Sequence, residues 1–143
     1  MIRMELNDWD YESIKEGQVF EFNRVITTED VKSFADLTED HNPLHCDEKY
    51  ANTTQFKGTI IHGMLAASLF STLLGMVCPG KRNLYISQSL NFERAIKPNS
   101  EITVRGTVQK KIDSINVLII QTQIIFKDMI AISGEAKVKV MKN

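Results

Sequence analysis

The chain lacks a disulfide framework: two cysteines, Cys46 and Cys78, cannot staple a domain of 143 residues, and a reducing cytoplasm is the expected setting. It also lacks an excess of either charge. Seventeen basic against eighteen acidic residues leave −1, and the densest basic spots, "GKR" at 80–82 and "QKKI" at 109–112, are short. A chain built to coat nucleic acid or an anionic membrane would show a basic run, so neither partner is expected. The start, "MIRMELNDWDYESIKEG", has no apolar core of the kind a secretory signal needs. Linkers, repeats and low-complexity tracts are missing as well. Residues 1–143 are therefore expected to form one domain, large enough to bury a core unaided.

One long stretch lacks charge altogether. From Ile60 to Cys78, "IIHGMLAASLFSTLLGMVC" runs for 19 residues without Lys, Arg, Asp or Glu, near the length that spans a bilayer. It carries His62, two glycines and a stripe of small residues at helical spacing: Ser68, Ser71 or Thr72, and Gly75. That pattern predicts a helix packed closely inside a soluble fold, starting near His62 or Gly63 and ending before Pro79-Gly80.

Around that helix the pattern divides in two. Before it, "QVFEFNRVI" (18–26) reads as a strand. "TTEDVKSFADLT" reads as a short helix with Thr27 or Thr28 as N-cap, and a further helical stretch is expected at about 47–53. After it, apolar and polar residues alternate through "NLYISQSLNFERAI", "SEITVRGTVQKKID", "INVLIIQTQIIFKD" and "MIAISGEAKVKVMKN". Four such strands in a row predict an antiparallel meander. The expected fold is α+β, a curved antiparallel sheet wrapped around a long central helix.

The chemistry-bearing segment is "TEDHNPLHCDEKYA", Thr38 to Ala51. Pro43 disfavours the helical conformation at Asn42, so Asp40 and His45 sit on the two arms of a turn and can converge on one water. A carboxylate and an imidazole on one water make a general acid/base pair, with Asn42 available to orient substrate. Three other readings stand beside this one. The stretch can be a plain polar turn. His41, His45 and Cys46 can form part of a zinc site, although Pro43 breaks the helix that would align them. Cys46 can be a nucleophile, although only His45 beside it would activate the thiol. In "GTIIHGMLAAS", Gly63 opens the buried helix, where an unpaired backbone N–H and the absence of a Cβ suit an oxyanion donor, and equally suit tight packing of the helix start alone.

Taken together, "DHNPLH", then "HGMLAASLFSTLLG", then "YISQSLNFERAIKPNSEITV" resemble the MaoC-like, (R)-specific enoyl-CoA hydratases over roughly residues 12–141. The resemblance implies a single hot-dog domain and a homodimer that joins two sheets. It also implies reversible syn hydration of a trans-2-enoyl thioester, carried by coenzyme A or acyl carrier protein, to the (R)-3-hydroxyacyl thioester. Catalysis falls on Asp40 and His45, and substrate and oxyanion binding on Asn42 and Gly63; no cofactor and no metal are implied. Position 41, a histidine here, is aromatic in some members. Lys81, Arg82, Arg94 and Lys97 are candidates for the carrier's phosphates. A hot-dog thioesterase and a non-catalytic acyl-CoA-binding module are the rival functions.

Overall fold

The computed structural model describes residues 3–142; the expected domain bounds, 1 and 143, lie outside them, as does the end of the last expected strand. After a 3-10 turn at Tyr11–Ser13 the chain forms β1 (Val19–Val25), which buries Phe20. Helix α1 (Thr28–Thr38) starts where the sequence predicts, on a capping box in which Thr27 accepts from the Asp30 amide and Asp30 reaches back to the Thr27 amide. Two short helices follow, α2 (Pro43–Cys46) and α3 (Glu48–Asn52), each capped by the side chain of the residue before it.

The central helical run is α4 (Gly63–Ala67), α5 (Leu69–Thr72) and a π-helical turn (Leu73–Val77), end to end with Ser68 between the first two. Its start and its end before Pro79 match the expectation. No helix among the described residues is long and apolar enough to cross a membrane. Along this run the small-residue stripe faces away from the sheet: Ser68 and Ser71 are exposed and Thr72 and Gly75 are half-buried. The inward face is instead Ala66, Phe70, Leu73 and Leu74. A single sheet covers one side of a helix, so the bulky residues take that side and the small ones face away.

The strands are β2 (Asn83–Gln88), β3 (Asn91–Phe92), β4 (Glu101–Ile112), β5 (Val117–Phe126) and β6 (Met129–Val140). Together with β1 they make one antiparallel six-stranded sheet in the order β1-β4-β5-β6-β2, with β3 also on β6. The expected four-strand meander is therefore corrected to three. β4, β5 and β6 follow one another, but β2 pairs with β6 because β1 already occupies the far side of β4. The expected strand over 83–96 is also interrupted at Ser89 and Leu90 and ends at Phe92. There the chain crosses tightly over β6: a Cβ on Gly134 would lie 1.9 Å from the Ser89 carbonyl oxygen.

The inward rows of the sheet, among them Ile102, Val104, Leu118, Ile120, Ile132 and Val138, form one cluster with the helical run. Gly106 of β4 lets the layers approach, since a Cβ there would meet the Phe20 ring at 2.8 Å and Leu73 at 3.2 Å. This packing fixes Gly63 and the segment before it against the sheet.

Candidate active site

Helix α1 ends in a left-handed residue, Glu39 (φ 64°), which turns the chain sharply into Asp40. The Asp40 carboxylate accepts from the Asn42 amide at 3.2 Å, a local turn bond. Asn42 is extended (φ −52°, ψ 131°), as a residue before proline should be, and its Oδ1 caps α2 by accepting from the Leu44 amide at 2.9 Å. The oxygen of Asn42 is thus committed to the backbone, and its NH2 group is the part left to meet a ligand.

Helix α2 carries His45. Its Nδ1 donates to the Ile60 carbonyl at 2.8 Å, and the Ile60 amide donates to the Leu44 carbonyl at 3.2 Å. A carbonyl only accepts, so Nδ1 holds the proton and Nε2 is left as a base. The Ile61 amide in turn donates to the Ile96 carbonyl at 2.9 Å, which ties this clamp to the chain leaving β3.

His62 precedes Gly63. It is buried, its ring centroid is 4.0 Å from that of His45 and 4.8 Å from that of Phe34, and its Nε2 donates to the Asp40 carbonyl at 3.0 Å. Asp40, His45 and His62 each offer a ligand-type atom within 4.8 Å of the others, so the turn does bring the carboxylate and the imidazole together. Among the described residues this is also the donor set that could hold a metal. The set weighed from sequence does not assemble: His41 turns to Asp36, with Nε2 3.8 Å from its carboxylate. Cys46 is not an activated thiol either. Desolvation first, then the Asp40 and Asp36 carboxylates, push its pKa up rather than down.

Gly63 opens α4, and its N-cap residue, His62, makes no side-chain cap bond. The first-turn amides therefore stand at the positive end of the helix without a capping acceptor from that side chain. Gly63, His45 and the apolar Ile61, Met64, Phe92 and Ile132 line a cavity of about 560 Å³. Phe92 lies over the glycine: a Cβ on Gly63 would come within 2.6 Å of its ring. His45 also lines a neighbouring cavity of about 680 Å³, together with His41, Cys46, Lys57 and Lys97. Asp40 lines neither cavity; its side chain is half-exposed at their margin.

Of the four expected phosphate partners, Arg94 and Lys97 stand at these cavities, whereas Lys81 and Arg82 do not. Lys97 is already held by the carbonyls of Phe56 and Gly58, and Arg82 pairs with Asp8 at 2.7 Å. Sequence reasoning passed over Lys57, Phe92 and the burial of His62. The available signal for His62 was a histidine set directly before the glycine in an otherwise uncharged run.

Comparison with known proteins adds to this geometry. The family profile described as "MaoC like domain" matches residues 11–127. The (R)-specific enoyl-CoA hydratase of Aeromonas caviae is 39% identical over 129 residues, which is 90% of this chain and 96% of that protein. The protein of the same name from Rhodospirillum rubrum is 37% identical over 130 residues, 91% of this chain and 90% of the relative. The solved (R)-hydratase of A. caviae superposes with a TM-score of 0.88 at 38% identity, covering 91% of this chain and 99% of the other.

Proposed function

Because the chain belongs to the MaoC-like domain family, we propose that it is a hydro-lyase adding water reversibly to trans-2-enoyl thioesters to give (R)-3-hydroxyacyl thioesters. The observation that carries the reading is the free Nε2 of His45 on the same cavity as Gly63, with the Asp40 carboxylate beside that imidazole.

The acyl chain lies among Ile61, Met64 and Ile132, with its thioester carbonyl toward the Gly63 amide. Asp40 and His45 hold one water. Its oxygen bonds to C3, its proton goes to this pair, and a proton from the same side of the substrate reaches C2, which makes the addition syn. As C2 gains electron density, negative charge grows on the carbonyl oxygen, and the Gly63 N–H at the start of α4 stabilises it. The Asn42 NH2 orients the water or the thioester. No cofactor takes part, and the whole of residues 1–143 acts as one domain.

The exposed edge of β2, with Leu84 and Ile86 outward, and the exposed Met64 on α4 support a homodimer in which two sheets join. Such a pair would cover the small-residue stripe and close the margin at Asp40. Coenzyme A or acyl carrier protein presents the substrate, with Arg94 at the cavity available for its phosphates. The free thiols of Cys46 and Cys78 suit a cytoplasmic enzyme.

Crotonyl-CoA separates this reading from its rivals. Loss of the enoyl thioester absorbance without free thiol, and an (R)-3-hydroxy product, is the expected result; thiol release would make the protein a thioesterase, and no reaction a binding module. Asp40→Ala and His45→Ala should each lower kcat by about 10²-fold or more with the fold intact. Full activity in Asp40→Ala overturns the mechanism. A series of enoyl chains from four carbons upward, on both carriers, then reads out the acyl length and the carrier.

A further inference from the structure

The steps above leave the buried imidazole of His62 unused. His62 is 2% exposed, and its ring stands between Phe34 and His45. The Asp40 carbonyl assigns its proton to Nε2, so Nδ1 is bare, and that nitrogen has no partner among the described residues. An unpaired buried acceptor is unfavourable, and a phenylalanine would fill the same slot without one. What phenylalanine cannot supply is the N–H toward Asp40.

That bond has no substitute. The other hydrogen bonds of Asp40, from its amide to Thr38 Oγ1 at 3.3 Å and from the Asn42 amide to its carboxylate at 3.2 Å, stay within two residues of it. The bond from His62 is the one that ties Asp40 to a distant part of the chain among the described residues. The same side chain lies against the His45 ring, and its own peptide leads into Gly63. One residue thus touches the support of the carboxylate, the face of the base and the start of the helix.

We propose that His62 is a positioning residue for the hydration reaction: a neutral imidazole, protonated at Nε2, that holds Asp40 and His45 in register with the Gly63 amide. The proposal rests on the roles assigned above to Asp40, His45 and Gly63. His62 is buried behind Phe34 and His45 and lines neither cavity, unlike the half-exposed Asp40 carboxylate, so its side chain is set back from the substrate. Its loss should therefore act on kcat and leave KM nearly alone.

The test is a kinetic series on the full-length protein with crotonyl-CoA. The amide nitrogen of glutamine reaches the place of Nε2, whereas that of asparagine falls near Nδ1. His62→Phe and His62→Asn should lower kcat by about 10²-fold with KM within about threefold, and His62→Gln should recover kcat to within about tenfold of the parent. A kcat for His62→Phe within threefold of the parent, or equal rates for the Gln and Asn variants, overturns the proposal. Should the variants fail to fold, imidazole ¹⁵N resonances of the unaltered protein decide. A protonated Nε2 with a bare Nδ1 at His62 is expected, and the opposite tautomer overturns the proposal. The expected tautomer in a protein that does not hydrate crotonyl-CoA would sink the hydratase reading instead.

Discussion

At Gly63 the requirement is for empty space. The ring of Phe92 occupies the position a side chain would take, so Gly63→Ala must displace either the ring or the start of α4. The N–H survives that substitution, but a shift of about 1 Å at an oxyanion donor can cost about 10²-fold in rate. We expect kcat/KM for crotonyl-CoA to fall by about that factor, and the double substitution Gly63→Ala, Phe92→Ala to recover part of it by removing the ring. Asp40, Asn42, His45 and Gly63 were legible as candidates because local sequence dictates their setting: proline forces the turn, and a glycine marks the helix start. His62 and Phe92 were not. The slot of His62 is made by Phe34 and His45 from two other helices, and Phe92 reaches Gly63 only through the pairing of β3 with β6.

Among the elements, those with their own punctuation were readable. The Thr27–Asp30 capping box announces α1, and alternating apolar residues announce β4, β5 and β6. The break between β2 and β3 has no such mark in its own residues. Its cause lies across the sheet at Gly134, where the Ser89 backbone crosses, the Ser89 amide donates to the Glu135 carbonyl, and the Glu135 amide donates to Ser89 Oγ, both at 3.0 Å. Gly134→Ala cannot be absorbed by a side-chain rotation, because the obstacle is a carbonyl oxygen. Destabilisation of about 1–3 kcal/mol is expected, read as a lower thermal midpoint, together with a loss of activity as β3 and Phe92 move off β6.

For the molecule as a whole, the sequence conveyed the curved sheet on a central helix but not the order of its strands. Periodicity reports which face a strand buries and is silent about its neighbours; β2 lies beside β6 because β1 takes the other edge. The small-residue stripe faces away from the sheet for a related reason, since one chain alone does not cover both sides of that helix. The exposed β2 edge gives the proposed homodimer its test. The chain should sediment at about twice its 16.3 kDa, and Ile86→Lys, which sets a charge on an outward position of that edge, should shift it toward the monomer. A parent protein that is monomeric at all concentrations would remove the dimer.

The brevity of β3 has one more consequence. Two residues pair it to β6, whereas β5 is paired along both sides. Local opening is least costly where few contacts must break, so the amides of β3 should exchange with deuterated solvent well before those of β5. With that outcome, the ring that covers Gly63 rides on a part of the sheet that opens without the domain unfolding, and uncovering the glycine requires only that small excursion.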